Sequence, residues 1–173
     1  MALFSGNIDD LRSLYTTQLH HLLSTEEQII DALPKMIDAA TDSQLKEGLT
    51  KHLRETKGHK ERLDRMLTNL TGKANSKTCD VTKELISSGE TVIKASKDPA
   101  VRDAGIIASA QKVEHFEIAS YGSVRDWALL LGETEQANVL QQTLDEEKHA
   151  DKVLTEVSHQ RNPEAARAIR GAA

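Results

Sequence analysis

The stretch from Gln111 to Val124, QKVEHFEIASYGSV, places two glutamates on the apolar side of what its spacing predicts to be a helix. At helical periodicity Val113, Glu117, Tyr121 and Val124 form one stripe, with Glu114 beside them. Ile106, Ala110, Ala128 and Leu131 prolong that stripe in both directions. A carboxylate on a core-facing stripe is costly unless it is paired, hydrogen-bonded or bound to a metal. The rest of the chain must therefore bring positive charge to the same depth.

Composition points to helices throughout. The 173 residues suffice for one domain with a real core. Aromatics make up only 3%, with 3 prolines and 9 glycines, and few segments offer the β-branched and aromatic alternation of strands. A net charge of -5 with both signs interspersed argues against nucleic acid as a partner, which would call for a basic stripe. The single Cys79 excludes an internal disulfide, a zinc–thiolate cluster and a CxxC redox motif, and it reads as a loop or helix-start residue. The opening MALFSGNIDD lacks the basic and apolar regions of a secretion signal, and no segment is apolar enough to span a membrane. A cytoplasmic protein with no membrane partner is expected.

Five helices can be placed. The first runs from a cap at Asn7 to about Ala40 on the rhythm Leu11, Leu14, Gln18, Leu22, Glu26, Ile29, Leu33 and Met36. Pro34 inside it predicts a kink and two segments. The second starts at Thr41 or Asp42 and stops at Thr71–Gly72. After the polar loop KANSKT comes a short helix from about Asp80 to Ser96. Asp98 and Pro99 open the next long helix, which runs to Leu131 and ends at Gly132. The last helix runs from about Glu133 to His159, so that residues 1–159 make the bundle and 160–173 a short polar tail. Two tight turns and one long crossover predict an all-α, ferritin-like four-helix bundle. A fifth, short helix lies in the crossover between long helices 2 and 3, which makes those two run parallel.

Each long helix then shows acid on its inward stripe. Placing residues at about 100° per position puts Glu26 in line on the first helix, and His52, Thr56 and His59 inside on the second with Glu55 at the flank. The third long helix carries Glu114 and Glu117, and the fourth carries Glu147 with Asp151 within reach; His149 points away and Glu146 falls on the opposite flank. A weak internal repeat aligns Leu53–Leu63 with Leu144–Leu154, matching Glu55 to Glu146 and Lys57 to Lys148. Taken singly, each glutamate is more often a solvated flank residue than a ligand. His52 reads as a satisfied core histidine, and His20, His21, His115 and His159 read as surface residues. The convergence of four helices is what favours a shared site: six carboxylates and a histidine cannot occupy a dry core without cations. Oxygen-rich ligands with imidazole suit iron or manganese. Di-iron bundles use one Glu from each of two helices and a Glu-x-x-His pair from each of the other two. Here the pairs Glu55/His59 and Glu147/Asp151 are spaced i,i+4, and the strict Glu-x-x-His, Glu146/His149, has its histidine outside.

The stretches AQKVEHFEIASYGSV, HLRETKGHKERLD and LDEEKHADKVL resemble the YciE/YciF-type family of bacterial, stress-associated ferritin-like proteins, from about Asp9 to Ser158. The resemblance implies a rubrerythrin-like bundle, a homodimer and a di-iron centre. By position it carries Glu26, Glu114, Glu117, Glu55 and Glu147 over as metal ligands. His59 and Asp151 complete the candidate set, with His52, Glu146 and His149 in reserve. No four-cysteine iron–sulfur module is present, so electrons would come from a separate donor. The expectation is a non-haem di-iron protein of oxidative or general stress that binds two ferrous ions, or manganese, and reacts with dioxygen or peroxide. Tyr121, one turn beyond Glu117, is a candidate hydrogen-bond or electron donor, or else a core tyrosine with its hydroxyl on a carboxylate or carbonyl. The alternative is a non-catalytic dimeric stress adaptor with a vestigial or empty site.

Overall fold

A computed structural model describes residues 8–168. It is all-helical among those residues: α1 (Leu11–Ala39), α2 (Ser43–Thr71), α3 (Asp80–Ala95), α4 (Pro99–Leu130) and α5 (Thr134–Ala168). The boundaries follow local chemistry. Asp42 and Asp98 cap α2 and α4 by accepting from the backbone N–H groups of Leu45 and Val101, and Pro99 occupies a first-turn position that needs no N–H. Gly72 and Gly132 follow α2 and α4 with φ of 82° and 78°, a left-handed conformation that costs glycine nothing.

Three expectations about the helices are corrected, two of them at helix ends. Asn7 lies outside the described residues, and Asp10 caps α1, in a reciprocal box with Ser13. α1 runs unbroken through Pro34, because Ile29, Ala32 and Leu33 bury the neighbouring turns and packing holds the helix across the missing N–H. α5 continues through Pro163 to Ala168, past residue 159, and Arg161 in that extension ion-pairs with Asp103 at 3.1 Å and Asp42 at 3.6 Å.

Cross-contacts give the topology. Arg12 near the start of α1 bonds Glu133 beyond the end of α4, while Thr41, just after α1, bonds Asp103 near the start of α4. α1 and α4 are therefore antiparallel. Arg62 late in α2 bonds Thr143 early in α5, so those two are antiparallel as well. α2 and α4 consequently run parallel, as the long crossover requires, and α3 within that crossover packs on α1 and α4. No helix among the described residues is long and apolar enough to cross a membrane.

Two apolar cores result. One gathers Tyr15, Leu19, Leu63, Leu67, Val124 and Leu140; the other gathers Ile29, Leu33, Leu45, Leu49, Ile106 and Leu154. Glu26, the segment from His52 to His59, Glu114 with Glu117, and Glu147 all fall between them along their helices, so a polar layer divides the bundle.

A separate buried acid holds one end of the bundle. Asp103 is fully buried and accepts from Thr41 N at 2.8 Å, Thr41 Oγ1 at 2.6 Å, Asp42 N at 2.9 Å and Arg161 at 3.1 Å. Its burial would raise its pKa, but these donors outweigh that and hold it below the usual carboxylate value. Asp103→Ala is expected to destabilise the protein by about 2–4 kcal/mol, because donors are left buried and unpaired. Urea denaturation measures this, and Asp103→Asn should lose less.

Candidate metal centre

The polar layer consists of six side chains that no solvent reaches in any quantity. Glu26, His59, Glu117 and Glu147 are fully buried, Glu114 is 3% exposed and His52 is 5% exposed. They form two overlapping groups. Donor atoms of His52, Glu114, Glu117 and Glu147 lie within 4.8 Å of one another, and so do those of Glu26, His59 and Glu147. Glu147 belongs to both.

Local pairings orient the layer. His59 Nε2 lies 2.8 Å from Glu146 Oε2, and its Nδ1 faces Glu147 at 2.9 Å and Glu26 at 3.6 Å. Glu146 is itself gripped by the Arg62 fork at 2.6 and 3.1 Å and by Gln142 at 3.0 Å. This arrangement has the His59 Nε2–H donate to the Glu146 carboxylate and turns Nδ1 toward the two buried acids. On the other side His52 Nε2 is 3.3 Å from Glu114, and Nδ1 is 3.9 Å from Glu147. The Tyr121 hydroxyl donates to Glu26 Oε1, leaving Oε2 for the centre.

The donor set fits a cation. Nine buried atoms here lack a directed hydrogen bond: Glu26 Oε2, both His52 nitrogens, His59 Nδ1, Glu114 Oε2, and both oxygens of Glu117 and of Glu147. An orphaned buried polar group costs about 1–3 kcal/mol. Six of the nine face an opposite partner across His52 or His59, but Glu114 Oε2 and both Glu117 oxygens do not, and those three alone weigh against a net domain stability of about 5–15 kcal/mol. Oxygen with imidazole is the donor chemistry of iron or manganese.

Without a cation, protons must do the neutralising. Burial, and then the negative charge of Glu147, raise Glu114 and Glu117 well above the usual carboxylate range; burial also raises Glu26. Burial would raise Glu147 too, but His59 and His52 reverse the sign and lower it. For His59, burial is outweighed by Glu147 and Glu26, and its pKa rises to about 11. Burial lowers His52. Glu146, despite partial burial, is held at about 2 by Arg62, Gln142 and His59.

Residues 10–167 match the family described as Domain of unknown function (DUF892). The chain belongs to this family. It is 36% identical to Protein YciF of Escherichia coli (strain K12) over 153 residues, 88% of this chain and 92% of that protein. The crystal structure of the E. coli stress protein YciF aligns with a TM-score of 0.86 at 34% identity, covering 90% of this chain and 99% of that one. YcfI of Rhodopseudomonas palustris, described as a candidate structural protein, aligns with a TM-score of 0.85 at 39% identity, covering 88% and 98%. The YciF-type resemblance carried by AQKVEH and EIASYG is thereby shown.

Of the seven expected ligands, five meet in this layer: Glu26, His59, Glu114, Glu117 and Glu147. Glu55 and Asp151 do not. Glu55 turns to the flank and pairs with Lys51 at 2.9 Å, and Asp151 faces Gln111 and His115, each at 3.2 Å. His52, read as a satisfied core histidine, joins the layer with no directed partner. His20, read as a surface residue, is buried, because the loop after α2 folds over it and places the Asn75 carbonyl on its ring. The internal repeat carried a signal here. Extending its alignment pairs Thr56 with Glu147 and His59 with Ala150. Each half keeps one member of a Glu-x-x-His pair, and both Thr56 and Ala150 are buried at the vacated positions.

The folded-state pKa values of Glu114, Glu117 and His59 are all raised, so the metal-free fold holds protons that the unfolded chain releases. Stability of the metal-free protein is then expected to fall as pH rises above the ordinary carboxylate value of 4.5, and to go on falling from the ordinary histidine value of 6.5 toward about 11, where the folded His59 gives up its proton. Glu117→Leu should reduce that slope and stabilise the metal-free form by about 1–3 kcal/mol at neutral pH. Thermal melts in a chelating buffer check both. Glu146→Ala should weaken ferrous binding about 10–100-fold, because His59 loses its orienting acceptor; anaerobic titration reads this.

Proposed function

We propose that the chain is a non-haem di-iron carboxylate protein of the oxidative or general stress response. The observation that supports this reading is the pair of overlapping donor groups sharing Glu147. Glu26, His59 and Glu147 would hold one ion, and His52, Glu114, Glu117 and Glu147 the other, with manganese as the other metal of matching chemistry. When bound, a ferrous pair would supply two electrons, enough with two protons to reduce hydrogen peroxide to two waters or dioxygen to hydrogen peroxide.

The chain's own part is positioning and exclusion of water. Glu147 bridges. Arg62, through Glu146, fixes the face that His59 presents. Tyr121 stays protonated, since burial raises its pKa well above the ordinary value, and it holds Glu26 by its hydroxyl. The two apolar cores above and below keep bulk water from the layer. A separate donor would supply reducing electrons, since the single cysteine, Cys79, cannot form an iron–sulfur module here. The protein acts in the cytoplasm as a homodimer, the assembly that the YciF-type resemblance implies.

One observation favours a second reading, a non-catalytic helical stress adaptor. The raised pKa values of Glu114 and Glu117 let the layer persist with protons in place of cations. Anaerobic titration separates the two readings. The di-iron reading expects about two ferrous ions per chain, and then a near-UV ligand-to-metal band when peroxide or air is admitted. Glu147→Ala should abolish binding at both positions, and Glu117→Ala at one. Binding no greater than background, or indifferent to both substitutions, leaves the adaptor.

A further inference from the structure

Protein interiors are packed to near-crystalline density, so voids aligned in a small core call for an explanation. Three small cavities lie in a row past His52. The outermost, about 40 Å³, occupies the seam where α3 meets α1 and α4, walled by Met36, Ile86, Ile93 and Val113 beside the exposed Lys35–Glu90 ion pair. The next, about 30 Å³, shares Ala32, Met36, Ile86 and Val113 with it and reaches Leu49, His52 and Glu114 at its far side. A third, also about 30 Å³, lies across His52 and Glu114 and extends between α2 and α5 toward Gly48 and Val153. His52 is thus a wall common to two cavities, and neither of its ring nitrogens has a hydrogen-bond partner.

We infer that the two cavities among α1, α3 and α4 are the path by which dioxygen reaches the metal centre. The inference deepens the di-iron reading and rests on it, naming the oxidant that reading left open. The walls of the inner cavity are hydrocarbon until His52 and Glu114. A water needs two to four polar partners to be held in a void, and between the rim at Lys35, Glu90 and Ser109 and the far wall at His52 and Glu114 the lining is hydrocarbon. Dioxygen, apolar and diatomic, loses no hydrogen bonds on entering such a space; hydrogen peroxide would leave several behind. The path arrives on the His52–Glu114 side of the centre. The Glu26–His59 side is closed by Tyr121 and Glu146.

The short crossover helix acquires a role in this account. Ile86 of α3 lines both cavities, and Ala32 of α1 faces it across them. Gly89 lets α3 approach α4 closely, since a Cβ there would stand 3.2 Å from Ser109 Cβ. α3 is therefore one wall of the conduit as well as a connection.

Xenon tests the conduit without any metal, because dry apolar cavities bind it. Crystals of the metal-free protein under xenon pressure are expected to show the gas beside Ile86 and Ala32, and Ile86→Trp crystals to show none. In solution, Ile86→Trp should keep the wild-type ferrous stoichiometry while the ratio of dioxygen-driven to peroxide-driven oxidation rates falls about tenfold or more. Ala32→Leu does the same from the α1 side should the tryptophan variant not fold, and Ile86→Ala should hold the ratio at or above wild type. Absent xenon in the wild type, or an unchanged ratio in the filled variants, overturns the path alone. A wild-type protein that binds no ferrous ion overturns the path and the di-iron reading together.

Discussion

Four carboxylates and two imidazoles share a dry layer between two apolar cores, and everything distinctive in this bundle follows from how their charge is balanced. Bare, the layer is untenable: Glu147 touches both donor groups, and Glu117 has no partner for either oxygen. Protons relieve it at the expense of stability that declines as pH rises. Cations would relieve it without removing the acids' charge. The layer is in this sense a site whose cost is set by the fold and offset by the ligand.

The remainder of the molecule reads as support for that layer. Outer partners aim the inner ones: Arg62 and Gln142 hold Glu146, which holds His59, and Tyr121 holds Glu26. The two apolar cores supply the hydrophobic stabilisation that lets a bundle carry so many orphaned polar atoms at its centre. Asp103 gathers donors from the α1–α2 turn and from α5, so the far end of the bundle is fastened independently of metal. A layer of buried, unpaired acids can then sit in a bundle that still folds.

Much of this was legible in the sequence because it is local. Caps at Asp42 and Asp98 and stops at Gly72 and Gly132 are decided by a few neighbouring atoms, and the crossover follows from counting residues between the stop at Gly72 and the cap at Asp98. Glu26, Glu114, Glu117, Glu147 and His59 stand out by angle alone. Glu55 and Asp151 misled because i,i+4 spacing places side chains on a broadly common face, and each is one flank too far round, where Lys51 and Gln111 are nearer partners. His52 stayed in reserve for the opposite reason. A histidine on an apolar stripe is ordinarily satisfied, and its lack of a partner exists only in three dimensions. His20 is hidden by a loop dozens of residues away, which no helical pattern foretells.

The central claim is that cations neutralise this layer through Glu147. Crystals grown anaerobically with ferrous iron, measured by anomalous diffraction at the iron edge, test it most directly. The account predicts two iron peaks flanking the Glu147 carboxylate, one within reach of Glu26 and His59, the other of His52, Glu114 and Glu117. Iron bound only at the surface, with those six side chains unmoved and metal-free, would contradict it.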